Sequence, residues 1–306
     1  MSEPGASRGT GREPGASGRT GREPRASGAA RRERVWFITG CSTGLGRALA
    51  RAVLIHGDRL MATARDTSAL ADLVALAPRR ARAVRLDVTD AESIHAAVAE
   101  ADRAFGRIDV LVNNAGYGLE GAFEELADTD LRHQFETNLF GTLAVTRAVL
   151  PVLRRQRSGH IVQMSSINGV LPIPGGSAYT GTKFALDGMS EALAAEVAHL
   201  GIRVTIVEPG AFRTDFSGRS LRWSRQMPDY AEFMGPGLEE FESVRGKEPG
   251  DPCRAAEAIV AAVNLDDPPL RLPLGTDAFQ EIRDYLQTRL SELDSLEPIG
   301  ADTDFR

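Results

Sequence analysis

This chain of 306 residues predicts one α/β domain, a doubly wound parallel sheet of about seven strands with helices on both faces. Short apolar runs alternate with longer amphipathic or Ala-rich stretches from Val35 onward. Strand, helix and strand repeated this often implies right-handed crossovers between parallel neighbours. The runs are mostly apolar on both faces instead of alternating, which suits strands covered by helices on each side.

Taken in order, residues 35–39 read as the first strand, and the Ala-rich stretch 44–56 as the helix behind it. Residues 59–63 and 68–77 form the second pair, and 83–87 with 90–105 the third. A fourth strand at 110–113 leads into a long helical stretch over 129–156, and a fifth at 160–165 into one over 178–200. Strands at 204–208 and 270–274 enclose a helix at 252–264. No internal linker breaks this domain, expected over residues 34–298. Residues 212–251 interrupt the rhythm with Trp223, Met227, Tyr230, Phe233 and Met234 among Gly, Pro and charges, and are expected to be an irregular lid over the site.

Composition narrows the possibilities. With 42% hydrophobic and 25% charged residues, wholesale disorder is not expected. No run of 18 apolar residues occurs and no apolar stretch follows the N-terminus, so neither a membrane span nor a secretory signal is expected. Two cysteines, Cys41 and Cys253, make no disulfide framework, which fits a cytoplasmic setting. Residues 1–34 hold eight Arg and four Glu, a net of +4, so a whole-chain charge of −6 leaves about −10 for the remainder. An acidic body speaks against nucleic-acid binding as the main function. The Glu-Pro-Gly-Ala-Ser stretch at residue 3 recurs at 13 and, as Glu-Pro-Arg-Ala-Ser, at 23. This Arg/Gly/Pro-rich repeat over residues 1–33 lacks large side chains to offset its ordering entropy and is expected to be a disordered tail.

The first strand runs directly into Gly40-Cys41-Ser42-Thr43-Gly44-Leu45-Gly46 and a helix start. Glycines allow a tight turn and close backbone approach, and helix N-terminal amides face phosphates, so the segment suits a dinucleotide pyrophosphate. A purely packing role for such a turn is the competing explanation. After the second strand, Ala64 stands where an acidic residue would read a ribose 2′-hydroxyl, and Arg65 follows. That favours NADP(H), with NAD(H) possible if Asp66 reads the ribose instead.

Tyr179 and Lys183 lie four apart in an Ala-rich helix and so share a face. The chain has two lysines against 34 arginines, so a Lys beside that Tyr invites explanation. A cation ~4 Å from the phenol at an effective dielectric of 20 is worth ~4 kcal/mol, about three pKa units. One lysine is thus expected to bring Tyr179 into the working range of a general acid and base. Ser166, closing the fifth strand, and Asn113-Asn114-Ala115-Gly116, closing the fourth, fall at the same carboxyl edge of the sheet. Pro209-Gly210 closes the sixth, with Thr214 just beyond.

These motifs resemble the short-chain dehydrogenase/reductase family, strongly over residues 34–214 and more loosely to about residue 294. T-G-x-x-x-G-x-G is residues 39–46, N-N-A-G is 113–116 and Y-x-x-x-K is 179–183. The resemblance implies a Rossmann fold, hydride transfer between nicotinamide and a carbonyl or secondary alcohol, and Tyr179 as the proton carrier. It implies that Lys183 holds the nicotinamide ribose and lowers the Tyr179 pKa, and that Ser166, before Ser165, bonds the substrate oxygen. Asn138 matches a helix Asn supporting a proton relay, Asp87 and Val88 the adenine contact, and Thr214 a carboxamide contact. Cofactor contacts are expected at Gly40, Ser42, Thr43, Gly44, Leu45, Gly46, Arg65, Asn114, Ala115, Gly116, Pro209 and Gly210 as well. Ala64-Arg65 resembles NADP-using members, including 17β-hydroxysteroid and retinol dehydrogenase relatives, although Thr43 stands where many carry a basic residue. Members assemble as dimers or tetramers through the helices that here hold Asn138 and Tyr179.

The five histidines, His56, His95, His133, His160 and His199, show no metal-ligand spacing, so no metal is expected. Residues 176–178 do not form G-x-S-x-G, which removes the hydrolase motif. A non-catalytic dinucleotide-binding sensor remains the rival, against which the intact Ser166, Tyr179 and Lys183 count. The aromatic and Met residues of 212–251 suggest an apolar small-molecule substrate, unless they pack against the domain itself.

Overall fold

The structure, a computed structural model, describes residues 33–305. The repeat expected to be a tail lies outside the described residues except for Glu33.

Strands β1 (Val35–Ile38), β2 (Arg59–Ala64), β3 (Ala81–Arg85), β4 (Val110–Asn113), β6 (Gly159–Met164), β7 (Ile202–Pro209) and β9 (Arg271–Leu274) form one sheet. A second sheet pairs the short strands β5 (Gly118–Glu120) and β8 (Leu221–Trp223). The large sheet is parallel throughout, in the order β3-β2-β1-β4-β6-β7-β9. The chain leaves β1 toward β2 and β3, then returns to place β4 on the other side of β1. That reversal opens the crevice in which such sheets bind ligands.

The helices are α1 (Gly44–Ile55), α2 (Ala71–Leu76), α3 (Ala91–Phe105), α4 (Asp128–Phe135), α5 (Thr142–Gln156), α6 (Ser177–Val197), α7 (Pro228–Val244), α8 (Pro252–Val263) and α9 (Thr276–Gly300). Alternation along each strand explains why the runs are apolar on both sides. Trp36 and Ile38 of β1 join Leu60, Leu49 of α1 and Ile259 of α8 in one core. Phe37 joins Met61, Leu111, Ile94 of α3 and Val149 of α5 in the other. Full burial of each such side chain contributes about 1.5–3 kcal/mol.

The expected strands are present within about two residues, the third ending at Arg85 with Asp87 and Val88 in the turn beyond. The single helix expected over 129–156 is three pieces, α4, a π-helical turn (Glu136–Gly141) and α5. Asn138 sits in that π turn, a distortion that often marks functional positions. The irregular lid is corrected: residues 212–251 contain a short 3-10 turn (Asp215–Ser217), β8 and the 17-residue α7. Helix α9 was not foreseen; its C-terminal half leaves Leu286, Leu290, Leu293 and Leu296 exposed. Among the described residues no helix is long and apolar enough to cross a membrane.

Candidate active site

The glycine turn is clasped to the end of β4. Asn114 Nδ2 donates to the carbonyls of Thr39 (2.9 Å) and Gly40 (3.0 Å), while its backbone N–H and that of Ala115 both donate to Thr39 Oγ1 at 2.9 Å. Gly46 must lack a side chain because a Cβ there would stand 2.5 Å from the Gly40 oxygen and overlap Asn114 Nδ2. Gly40 and Gly44 have φ of +72° and +59°, which a side chain would strain. Leu45 turns into the core below, so at that residue only the backbone is left to the turn.

Helix α1 begins with its N-terminal amides uncapped: Thr43 offers no side-chain hydrogen bond, and the first turn has no acidic residue. In front of it lies a cavity of about 510 Å³ lined by Ser42, Thr43, Gly44, Arg47, Arg213, Thr214, Asp215 and Arg219, among others. Thr214 lies beside this turn, its Cβ 3.8 Å from where a Gly44 Cβ would be. Three guanidiniums, of which Arg47 is paired with Asp72 at 2.7 Å and Arg219 with Asp215 at 2.9 Å, and the free amides make a cavity suited to a diphosphate. Arg213 and Arg219 belong to none of the quoted motifs, and both lie in the segment expected to be irregular.

Arg65 is exposed just past β2 and makes no hydrogen bond or ion pair. Asp66 is occupied, its carboxylate accepting from Ser68 N at 2.9 Å to cap the following turn. Burial opposes ionisation of Asp87, but two hydrogen bonds from Thr89 and the charges of Arg65 and Arg85 outweigh it and hold its carboxyl below the ordinary range. Val88 is buried beside it, its carbonyl close to Gly141. At the other edge, Gly210 follows β7, where a Cβ would stand 2.5 Å from the Asp277 carboxyl carbon. Asp277, at the start of α9, accepts from Ala211 N at 2.7 Å and so anchors the Pro209-Gly210 turn.

Ser166, Tyr179 and Lys183 come together where β6 meets α6. Ser166 caps a 3-10 turn (Ile167–Gly169), accepting from Asn168 N at 3.2 Å, and its hydroxyl faces the Tyr179 phenol. Ser165 is instead buried beside the Asp187 carboxylate. Lys183 Nζ donates to the Met164 carbonyl at 2.7 Å and stands 5.5 Å from the centre of the Tyr179 ring.

The structure does not show the expected lowering of the Tyr179 pKa. Burial pushes the phenol above its ordinary value; Ser166 pulls it down, but Glu120 and Asp187 push it up again. Burial also lowers the pKa of the Lys183 ammonium, to about 8.

Asn138 spends its side chain on Tyr117, accepting from its N–H (3.0 Å) and donating to its carbonyl (2.8 Å). Its Oδ1 approaches within 3.1 Å of where a Gly116 Cβ would be, so Gly116 and Asn138 are neighbours. Behind Lys183, Asp187 is ion-paired to Arg271 at 2.9 Å, and the same guanidinium binds Glu191 (2.9 Å) and Glu208. Asp187 stands four residues after Lys183, a spacing that could have flagged it.

The lid reaches the site through Phe216, whose ring centre is 5.6 Å from that of Tyr179. Trp223 packs edge-on against Phe241 within the lid itself, 5.7 Å between centres, and Phe233 is exposed. Of the lid aromatics, it is Phe216 that contacts the Tyr179 ring, a residue that the sequence analysis did not single out.

A parallel sheet reversing at β1, a glycine turn under an uncapped helix and a Tyr–Lys helix at one edge define a Rossmann-type α/β domain. Residues 34–225 match the sequence profile of the short chain dehydrogenase family, and the chain belongs to that family. It is 43% identical over 248 residues to the oxidoreductase BOA17 of Botryotinia fuckeliana, covering 81% of this chain and 90% of that protein. A crystal structure of a short-chain dehydrogenase from Streptomyces avermitilis aligns with TM-score 0.85 and 47% identity, over 90% of this chain and all of that one. An alcohol dehydrogenase from Thermococcus sibiricus, complexed with 5-hydroxy-NADP, aligns with TM-score 0.66 and 28% identity, over 79% of this chain and 96% of that one.

Proposed function

We propose that this chain is an NADP(H)-preferring oxidoreductase that moves hydride between the nicotinamide and a carbonyl or secondary alcohol, with Tyr179 passing the proton. The convergence of Ser166, Tyr179 and Lys183 at the sheet edge carrying the glycine turn supports it most. The cofactor supplies or accepts the hydride. Residues 40–46, with Arg47, Arg213 and Arg219, hold its diphosphate, and Arg65 its 2′-phosphate. The empty hands of Arg65 and the engaged carboxylate of Asp66 favour that choice, as does the NADP derivative bound by the Thermococcus relative.

In the direction of reduction, the Ser166 hydroxyl donates to the carbonyl oxygen and orients it. A phenol held above its ordinary pKa is protonated at pH 7 and gives its proton to that oxygen as negative charge develops there. Lys183, fixed by Met164, leaves its ammonium free on the other side to hold the ribose and to stabilise the phenolate left behind. Phe216 and the lid exclude water from this step. The molecule acts as a homodimer or homotetramer, without nucleic acid or membrane as partner.

Titrating NADPH and NADH separately into the purified protein at one salt concentration tests the reading. NADPH should bind at least tenfold tighter, about 1.4 kcal/mol, and Arg65→Ala should remove the difference. Tighter NADH would overturn the role of Arg65, and binding of neither would overturn the oxidoreductase reading.

A further inference from the structure

Strand β5 runs parallel to the lid strand β8, with Glu120 opposite Trp223. Residues 118 and 120 leave the same face of β5, since side chains alternate along a strand. At position 118 that face looks onto Phe216: a Cβ on Gly118 would lie 3.2 Å from its ring. The Phe216 ring in turn stacks 5.6 Å from that of Tyr179. The next backbone amide, of Gly121, donates to the Gly175 carbonyl at 2.8 Å, tying the strand end to the loop that leads into α6. Glu120 therefore projects from the face of β5 that looks onto Phe216 and, through it, the site.

Its carboxylate is unlike its acidic neighbours. Glu124 accepts from the Tyr230 hydroxyl at 2.7 Å, and Glu125 from the amides of Ala122 and Met227 at 2.8 and 2.6 Å. Glu120 is half-buried, and among the described residues its carboxylate has no hydrogen-bond donor and no cation within 4 Å. The nearby cations are committed elsewhere, Arg222 stacked 4.8 Å over the Tyr117 ring and Lys183 on Met164. Burial raises the Glu120 pKa, and its charge reaches the Tyr179 phenol. A carboxylate kept half out of water without a partner is costly, and a cation or strong donor brought by a ligand relieves that cost.

We infer that Glu120 is a subsite for a protonated amine on the substrate, so that the preferred substrates are amino ketones or amino alcohols with an otherwise apolar skeleton. This rests on the reading of Tyr179 as the proton carrier. The ammonium would sit between Glu120 and the reacting carbon, with Phe216 against the apolar part. It would also cancel the negative charge that holds the phenol up, which favours the phenolate at the moment of proton transfer.

The test compares 1-amino-2-octanol with 2-nonanol, a neutral alcohol of the same heavy-atom count. Both are titrated into the enzyme–NADP⁺ complex and run as oxidations at pH 7. The amine should bind at least tenfold tighter and show at least tenfold higher kcat/KM. Glu120→Gln should reduce that ratio to near one, and Glu120→Asp should keep part of it. Equal binding and turnover of the two alcohols, no binding of the amine, or an unchanged ratio in a folded Glu120→Gln protein overturns the inference. Failure of the parent enzyme to bind either dinucleotide overturns the underlying oxidoreductase reading instead. If Glu120→Gln does not fold, the comparison in the parent enzyme decides alone.

Discussion

Tyr179 and Lys183 show how far residue identity carries and where environment takes over. Tyr179→Phe removes the one proton that the mechanism moves and leaves the ring, its contact with Phe216 and the glycine turn in place. Turnover should fall by 10²–10⁴-fold while NADPH affinity stays within about twofold, measured by steady-state kinetics and by titration. An unchanged rate would remove Tyr179 from its role and revive the sensor reading. The sequence made this pair legible because a Lys is scarce in the chain and the spacing puts both on one face. It left Glu120 out of view, because what distinguishes a half-buried carboxylate with no partner is its surroundings and not its position in the sequence. Asp187, by contrast, was within reach through its spacing from Lys183. The pKa argument failed because it weighed one cation and left out the burial of the phenol and the charges of Glu120 and Asp187, which push its pKa up.

At the scale of elements, the parallel strands were legible because double burial writes itself as continuous apolar runs. The β5–β8 pair was not: three-residue strands hold less than two periods, and their partners lie about 100 residues apart. Helix α7 carries Gly235, Pro236 and Gly237, which mask its periodicity. The glycine turn gives a sharp prediction. Gly46→Ala drives a methyl against the Gly40 carbonyl, which cannot swing aside as a side chain could. The turn and its Asn114 clasp should open, with loss of at least tenfold in NADPH affinity and a lower Tm, while Gly188→Ala, with open space around it, should change neither. Strand β6 gives a second. His160, buried against Thr205 Oγ1 at 2.9 Å, has its pKa lowered to about 4 by burial, helped by Arg34 and Arg203. Its folded pKa lies below the unfolded value of 6.5, so its stabilisation is complete above 6.5 and is lost as pH falls through 4. That contribution is on the order of 3 kcal/mol, and His160→Gln should flatten the loss of stability between pH 6.5 and 4 in urea titrations.

For the molecule as a whole, exposed side chains on the π-helical turn before α5 and on α6 carry the argument for assembly. Phe140, two residues after Asn138, is 52% exposed, and Phe184, next to Lys183, is 40% exposed. Met189, further along α6, is also exposed. Covering such side chains with a second copy would stabilise the association by about 25 cal/mol for each Å² of apolar surface removed. The same contact would brace the helix backbones that hold Asn138 and Lys183, so assembly and activity should be linked. Light scattering should give the parent protein at least twice its chain mass of 32.9 kDa. Phe184→Asp would leave an uncompensated charge in the contact and should give the monomer mass with reduced turnover. A parent protein of monomer mass at micromolar concentration would sink the assembly argument. An assembly that survives Phe184→Asp would shift it to α9, where Leu286, Leu290, Leu293 and Leu296 recur at helical spacing and stand exposed. Because α9 anchors the Pro209-Gly210 turn through Asp277 but carries neither Tyr179 nor Lys183, dilution in that case should lower affinity for the cofactor before it lowers kcat.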